Sequence, residues 1–237
     1  MNNPSSSAST GPVSTQGRVI VITGATGVLG SFTAYTFGEH GHSLALLDHN
    51  QERLDSLAHD LNLPDERFFT LAVDLRHEEA VQSAAKAVSA KFGSIHALIH
   101  LVGGWTGGKT LAETPASDFE FMLGQHAWTT FHLFHSFSPY LVANKWGRVI
   151  VVSASTVPNP PGMVAAYTAA KAAQENLVLN LAAELKESNV TANIIQVRAI
   201  DVKGEGKGTS PEEIVSAMLY LFSDDAAKVN GARIPLY

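Results

Sequence analysis

The sequence contains no cysteine, no apolar run long enough to span a membrane and no cluster of basic residues. None of its 237 residues is cysteine, which excludes disulfide bonds, thiolate zinc sites and cysteine nucleophiles together. Its apolar stretches fall short of the roughly 18–20 residues that cross a bilayer. The net charge of −6 comes without grouped lysine and arginine, although binding to nucleic-acid phosphates requires such a group. We therefore expect no membrane or nucleic-acid partner, and a reducing, cytoplasmic location.

Metal and targeting signals are also missing from the sequence. The ten histidines show no HExxH or similar ligand spacing, so we expect no metal site. Residues 1–16 lack the basic and apolar regions of a secretory signal. They are rich in serine, asparagine, proline and threonine, and this composition predicts a disordered N-terminal tail.

The chain does contain a regular alternation of short apolar runs and longer helical patterns. With 45% apolar and 16% charged residues, it can bury a sizeable core. The runs are rich in valine, isoleucine and leucine, as expected of parallel strands buried on both faces. They occupy residues 18–22, 43–47, 68–73, 97–101, 149–152, 191–197 and 233–236. Helical spacing covers residues 28–40, 51–61, 78–92, 117–144, 164–188 and 211–222. The alternation predicts one α/β domain over residues 17–237, a single doubly wound parallel sheet (Rossmann-like) with helices on both faces.

A glycine-rich turn joins the first predicted strand to the first predicted helix. Residues 23–30 read Thr-Gly-Ala-Thr-Gly-Val-Leu-Gly, and glycines at this spacing permit a tight turn and a close approach to a pyrophosphate. The alternative is a glycine-rich turn without a ligand, but its place between strand and helix favours dinucleotide binding. The candidate cofactor-binding residues in this turn are Gly24, Thr26, Gly27, Val28, Leu29 and Gly30.

Two acidic residues lie at the ends of the second and third predicted strands. Asp48 follows Gly30 by eighteen residues. A carboxylate there can accept hydrogen bonds from the adenosine ribose and repels a 2′-phosphate, which favours NAD(H) over NADP(H). The alternative for Asp48 is a turn or N-cap residue. Asp74, followed by Leu75, could meet the edge of an adenine ring or cap the next helix.

Tyr167 and Lys171 are four residues apart in a predicted helix, so their side chains share one face. A lysine beside a tyrosine hydroxyl favours the phenolate and is expected to lower the pKa of the tyrosine from about 10. A tyrosine of this kind can exchange protons near neutral pH. On its own, the spacing also occurs by chance in many helices.

Taken in sequence order, the glycine turn, the two acidic residues and the Tyr-x-x-x-Lys pair resemble the short-chain dehydrogenase/reductase family over about residues 17–237. The resemblance implies that Tyr167 is the general acid/base. It implies that Lys171 lowers the pKa of that tyrosine and holds the nicotinamide ribose. It also implies that Val102 and Gly103, after the fourth strand, contact the cofactor.

Several positions depart from the family pattern. The serine usual in the family falls on Ala154, with Ser153 and Ser155 on either side. Ser155, Ser153 or ordered water would then polarise a substrate carbonyl, and of these we favour Ser155. The helix asparagine of the family aligns with His126. The segment of residues 198–210 is short and glycine-rich where the family usually has a longer lid.

Two further segments resemble the dihydropteridine-reductase-like branch of the family. They are VGGWTGG at residues 102–108 and PPGMVAAY at residues 160–167. Trp105 in the first segment could stack on a flat, conjugated substrate, or pack against the core. The predicted helices over residues 117–144 and 164–188 are richer in apolar residues than one buried face requires. By the family resemblance they would pair into a homodimer or homotetramer, unless both are covered within one subunit.

The first hypothesis is therefore an NAD(P)-dependent oxidoreductase that passes a hydride between NAD(H) and a small carbonyl, quinonoid or alcohol substrate. The substituted family positions and the short lid leave open a dinucleotide-binding scaffold or redox-sensing interaction protein. An epimerase or dehydratase is a third possibility, indicated only by the glycine spacing.

Overall fold

The computed structural model describes residues 17–237, and the predicted disordered tail, residues 1–16, lies outside the described residues. The described part is built on one seven-stranded sheet in which every neighbouring pair of strands is parallel. The strands are β1 (Val19–Thr23), β2 (Ser43–Asp48), β3 (Phe68–Ala72), β4 (Ala97–His100), β5 (Gly147–Ala154), β6 (Val190–Val197) and β7 (Arg233–Pro235). Their order across the sheet is β3-β2-β1-β4-β5-β6-β7, which confirms the predicted doubly wound fold.

Helices cover both faces of this sheet. They are α1 (Val28–Glu39), α2 (Gln51–Leu61), α3 (Glu78–Phe92), α4 (Ala116–Leu123), α5 (Thr129–Ala143), α6 (Ala165–Glu184) and α7 (Pro211–Phe222). Helices α3, α5 and α6 share one apolar core with the sheet, and α1, α2 and α7 share the other. Successive residues of one strand alternate between the two cores: Val19 and Val21 contribute to the first, and Ile20 and Ile22 to the second. This is why the strands are apolar without alternation.

The predicted element boundaries agree with the structure to within one or two residues, except at the two long helices. The predicted helix over residues 117–144 is α4 and α5 joined by a π-helical turn, Gly124–Trp128. A π turn adds one residue to a helical turn, a local change that the prediction of one continuous helix did not include. The predicted helix over residues 164–188 ends at Glu184, and a short 3-10 turn, Lys186–Ser188, follows it.

The strand order reverses between β1 and β4, because β2 and β3 extend the sheet to one side and β5 to β7 to the other. In such sheets the loops that follow adjacent strands diverge at this point and leave a crevice beyond the carboxyl ends. The loops after β1, β4 and β5 meet there, and together with the first turn of α1 they contain most of the predicted site residues.

Residues 198–210 form a compact loop that is bonded to itself. The carboxylate of Asp201 accepts hydrogen bonds from the backbone N–H groups of Glu205 and Gly206. Thr209 exchanges backbone hydrogen bonds with Ala199 and Asp201. The loop leads into α7, which Ser210 caps by accepting a hydrogen bond from the backbone nitrogen of Glu213. Among residues 17–237, no helix is long and apolar enough to cross a membrane.

Candidate active site

The glycine turn has the close backbone packing that its sequence predicts. Gly24 has a positive φ of 68°, and a Cβ there would lie 3.1 Å from the backbone nitrogen of Val102. A Cβ at Gly30 would lie 2.1 Å from the carbonyl oxygen of Gly24, so the first turn of α1 packs directly on the chain leaving β1. Helix α1 follows Gly27 with no side-chain cap from the described residues. Its first N–H groups and its dipole therefore favour an anion such as a phosphate.

Asp48 at the end of β2 is tied to this turn. Its Oδ2 accepts hydrogen bonds from the backbone nitrogen (3.0 Å) and the hydroxyl (2.8 Å) of Thr26, and its Oδ1 accepts one from the backbone nitrogen of His49. Burial alone would raise the pKa of Asp48, but these hydrogen bonds hold it below its ordinary value. Asn50, not Asp48, caps α2 by accepting from Arg53. The N-cap alternative for Asp48 is therefore wrong.

Asp74 is paired with a neighbouring arginine. The guanidinium of Arg76 lies 2.6 Å from one carboxylate oxygen and 2.9 Å from the other. These hydrogen bonds lower the pKa of Asp74 to about 2. The Asp74 carboxylate does not cap α3. Among the described residues, the N-cap of α3 is His77, and no side chain makes a capping hydrogen bond at this end of the helix.

One side of the crevice is a cavity of about 240 Å³ that brings several of the predicted cofactor residues together. It is lined by Asp48, His49, Val73, Asp74, Leu75, Arg76, Val102, Gln125 and Thr129. Its mixture of polar residues with the apolar Val73, Leu75 and Val102 suits the adenosine end of a dinucleotide.

A second cavity, of about 320 Å³, lies on the other side of Val102. It is lined by Leu29, Leu101, Val102, Gly103, Gly104, His126, Val152, Ser153, Ala154, Tyr167, Lys171, Val197, Arg198, Ala199 and Ile200. The structure thus brings the Tyr-x-x-x-Lys pair to the same crevice as the glycine turn, with Leu29 of α1 in its wall. An extended dinucleotide could reach from one cavity to the other past Val102.

Lys171 is almost fully buried in the wall of this second cavity. Its Nζ donates one hydrogen bond to the carbonyl oxygen of Val152 and one to Oε1 of Gln174, both at 2.9 Å. Burial lowers the pKa of Lys171 to about 8, against the opposing influence of the Glu175 carboxylate. The third N–H of the ammonium is the one left for the cavity.

Tyr167 does not have the lowered pKa that its spacing from Lys171 predicts. Burial raises the pKa of Tyr167 above 10, because the desolvated phenolate is disfavoured in this wall. Its ring meets the imidazole of His126 edge to face, with 5.6 Å between ring centroids. In the structure as it stands, the tyrosine is a protonated phenol at neutral pH.

At the end of β5, Ser153, Ala154 and Ser155 differ in whether they line the second cavity. Ser153 and Ala154 both line the second cavity. The Ser153 hydroxyl is buried without a hydrogen-bond partner in residues 17–237. Ser155 lies just beyond this lining, where its backbone nitrogen donates to the carbonyl of Val197. Of the two serines, the structure therefore brings Ser153 closer to the Tyr167 cavity.

Two buried histidines connect the site to the elements around it. His100, at the end of β4, contacts the hydroxyl of Thr23 (2.8 Å) and lies 3.5 Å from that of Thr129. Nε2 of His126, on the π turn, is 2.9 Å from the carbonyl oxygen of Gly104. Burial lowers the pKa of each histidine to about 3, so both are neutral near pH 7. His100 was not a predicted site residue.

Trp105 is exposed, and its segment, residues 102–108, contacts the segment of residues 160–167. The indole is 64% exposed, so packing against the core is excluded for Trp105. The backbone nitrogen of Gly108 donates to the carbonyl of Met163 (2.8 Å). Met163 has a positive φ of 66°, which is uncommon for a residue with a side chain. The loop after β4 thus holds the residue that leads into α6.

Fold and site together define an α/β protein with a crevice for a dinucleotide and a buried Tyr–Lys pair beside it. Comparison with known proteins gives the family. The short chain dehydrogenase family model matches residues 18–212. The 7alpha-hydroxysteroid dehydrogenase of Escherichia coli (strain K12) is 25% identical over 233 residues, which cover 91% of each chain. The meso-2,3-butanediol dehydrogenase of Serratia marcescens is 28% identical over 236 residues, covering 92% of each. The NAD+-bound crystal structure of a xylitol dehydrogenase superposes with a TM-score of 0.84 at 23% identity, covering 93% of this chain and 98% of that one.

The chain belongs to the short-chain dehydrogenase family. It is accordingly an oxidoreductase of the NAD(P)-dependent kind, as the hypothesis from its sequence states.

Proposed function

We propose that this oxidoreductase transfers a hydride between NAD(H) and a small carbonyl, quinonoid or alcohol substrate, with Tyr167 as the general acid/base and Lys171 tuning it. The observation that carries the proposal is the shared cavity: both side chains line the 320 Å³ space that opens beside the glycine turn. The nicotinamide ring of the bound cofactor supplies or accepts the hydride at its C4 atom.

The chain's own residues fit such a cofactor along the whole crevice. The uncapped first turn of α1, formed by Val28, Leu29 and Gly30, offers N–H groups to the pyrophosphate. Asp48 would face the adenosine ribose, and its ionised carboxylate would disfavour a 2′-phosphate. NAD(H) is therefore the preferred cofactor of the proposal. A ratio of kcat/KM for NADH over NADPH below one would contradict this preference.

The pKa shifts of Tyr167 and Lys171 support these chemical roles. Because the pKa of Tyr167 is raised, its phenol holds a proton that it can donate to a developing alkoxide. The Lys171 cation then stabilises the phenolate that remains. Carbonyl polarisation by Ser155 stays a prediction, and the unpartnered hydroxyl of Ser153 makes that residue its rival. Ser153→Ala and Ser155→Ala, assayed side by side, would separate the two.

Tyr167→Phe is the decisive test. General acid–base groups contribute about 10²–10⁴-fold, so NADH oxidation should fall by that factor while NADH binding, followed by its fluorescence, stays unchanged. Tyr220→Phe on α7, half exposed and in the lining of neither cavity, is the matched control. Equal turnover in the two variants would refute the mechanism.

A quinonoid, pterin-like substrate is the narrower proposal. It is supported by the contact between the Trp105 loop and the Met163 segment and by Ala154 in the cavity wall, because a conjugated quinonoid needs less polarisation than a ketone. Turnover of ketones but not of quinonoid dihydropterins would contradict the proposal of a pterin-like substrate.

The non-catalytic alternative retains one specific observation. Arg198, Ala199 and Ile200 line the second cavity, but the rest of the 198–210 segment is bonded to itself. Poor water exclusion by so short a cover would impair catalysis before cofactor binding. Tight NADH binding without turnover across ketones, quinones and pterins would favour a dinucleotide-binding scaffold. An epimerase or dehydratase would turn over substrate without net NADH consumption.

We also propose that the protein is a cytoplasmic homodimer or homotetramer that pairs through α4–α5 and α6. Trp128 and Phe131 on this surface are 55% and 42% exposed, and such neighbouring exposed aromatics are typical of interfaces. Phe131→Asp should yield monomers in light scattering at micromolar concentration. A monomeric wild type would contradict the proposal.

A further inference from the structure

Lys171 is linked to the π-helical turn by an unbroken series of buried side chains. Nζ of Lys171 donates to Oε1 of Gln174 (2.9 Å). Nε2 of Gln174 donates to the hydroxyl of Thr130 (2.9 Å), and that hydroxyl donates to the carbonyl of His126 (2.6 Å). Gln174 and Thr130 are fully buried, and Lys171 is 6% exposed. Protein groups alone therefore connect the ammonium to the turn between α4 and α5.

The direction of these hydrogen bonds is fixed by chemistry. The carbonyl of His126 can only accept, so the single proton of the Thr130 hydroxyl goes to it. The oxygen of Thr130 must then accept from the amide nitrogen of Gln174, which turns the amide oxygen toward Lys171. The flipped amide would place N–H groups against the ammonium. Gln174 thus has one stable orientation, and in it the acceptor faces Lys171.

We propose that Gln174 is a positioning residue for Lys171: with Thr130 it anchors the ammonium to the π turn and leaves one N–H of Lys171 directed to the cavity. The other anchor is the carbonyl of Val152 on β5 (2.9 Å). Two anchors on different elements restrain Nζ in two directions, whereas one would let the long side chain pivot. The importance of this restraint for catalysis rests on the proposed function of Lys171, but the restraint itself does not.

The effect of Gln174 on the pKa of Lys171 can be separated from the effects of the other ionisable groups around Lys171. Glu175 faces Lys171 from α6, His126 from the π turn and His100 from β4, and Tyr167 and Arg198 line the same cavity as Lys171. Tyr167 and the histidines are neutral near pH 7. The carboxylate of Glu175 is paired with Arg233 at 2.6 Å and accepts from Gln196. A change at position 174 therefore acts on the charge of Lys171 directly.

The test is a titration of Lys171 in the protein without cofactor, by NMR of carbon-13-labelled lysine, with the resonance assigned from its loss in Lys171→Met. Gln174→Met keeps the length but removes the acceptor, so the pKa of Lys171 should fall by about one unit. Gln174→Glu adds a carboxylate in the same place and should raise it by about one unit or more. Thr130→Val, which removes only the hydroxyl, should lower it as Gln174→Met does, by a smaller shift. It also serves as the test should Gln174→Met not fold.

An unchanged pKa of Lys171 in the folded variants would overturn the inference, whatever the stability of those variants. A residue that merely holds α6 to α5 would leave this pKa unchanged. NADH oxidation with phenanthrenequinone as the probe separates this from failure of the proposed function. If Lys171 positions the proton transfer, the alkaline limb of kcat/KM moves down for Gln174→Met and up for Gln174→Glu. If Lys171→Met turns over like wild type while the titrations shift, the proposed function fails and the positioning stands.

Discussion

Gly30 is where the backbone of the cofactor turn has the least room, and Gly30→Ala should damage stability and binding together. The new Cβ would lie 2.1 Å from the carbonyl oxygen of Gly24 and 2.8 Å from the Cα and oxygen of Ala25. These are backbone atoms, so relief requires the turn to open by roughly 1 Å. Overpacking of this kind costs about 1–3 kcal/mol, which exceeds the 0.5–1 kcal/mol or so that alanine gains over glycine in a helix.

The same opening should displace the N–H groups at the start of α1. Losing one hydrogen bond to a charged phosphate costs about 1.5–3 kcal/mol, so NADH affinity should fall about 10- to 100-fold. Urea unfolding and NADH fluorescence titration measure the two effects. Gly124→Ala is the control: Gly124 has helical angles (φ −57°, ψ −49°), and a Cβ there would have open space among the described residues. Wild-type affinity and stability in Gly30→Ala would refute this account of the turn.

Two further predictions concern stability. Arg233→Met should cost about 2–3 kcal/mol at pH 7 in urea unfolding, because it leaves the fully buried carboxylate of Glu175 without its cation; a loss no larger than that of an exposed arginine would contradict it. Burial lowers the pKa of His42 to about 4 and of His100 and His126 to about 3, so between these values and about 6.5 the unfolded chain binds more protons than the folded one. The contribution of these histidines to the free energy of unfolding should therefore be fully present above pH 6.5. It should decrease as the pH falls toward 3, by up to about 1.4 kcal/mol per pH unit for each histidine. If His100→Asn leaves the slope of stability against pH unchanged, His100 does not contribute to that slope.

The sheet was predictable from the sequence because its strands are buried on both faces. Each strand had to be a short apolar run, and the helices between them had to carry polar outer faces, so strand order along the chain and element type follow from hydrophobicity alone. The π-helical turn, Gly124–Trp128, was not predictable, because a shift of the apolar pattern by one position does not reveal its cause. The self-bonded loop of residues 198–210 depends on one carboxylate, Asp201, whose partners a linear pattern does not reveal.

The candidate site was predictable where its residues are close in sequence. The glycine turn and the Tyr167–Lys171 pair are local patterns with a direct chemical meaning. Gln174 was missed because the partner that connects it to the π turn, Thr130, lies on another helix and is 44 residues away in sequence. The lowered pKa expected for Tyr167 was wrong for a related reason, since spacing along a helix gives the charge of a neighbour but not the extent of burial.

Burial shifts the pKa values of Tyr167 and Lys171 in opposite directions, and these shifts affect which direction of the reaction the site favours. It raises the pKa of Tyr167 and lowers that of Lys171 to about 8, so near pH 7 the phenol keeps its proton and the ammonium keeps its charge. Under the proposed function, this is the state required to donate a proton to substrate as hydride arrives. In the oxidative direction, Tyr167 must lose that proton first. Because a buried phenolate is unfavourable, the Lys171 cation must stabilise it. The Gln174 anchor is therefore most important for oxidation, where the ammonium must be in place before the phenolate forms.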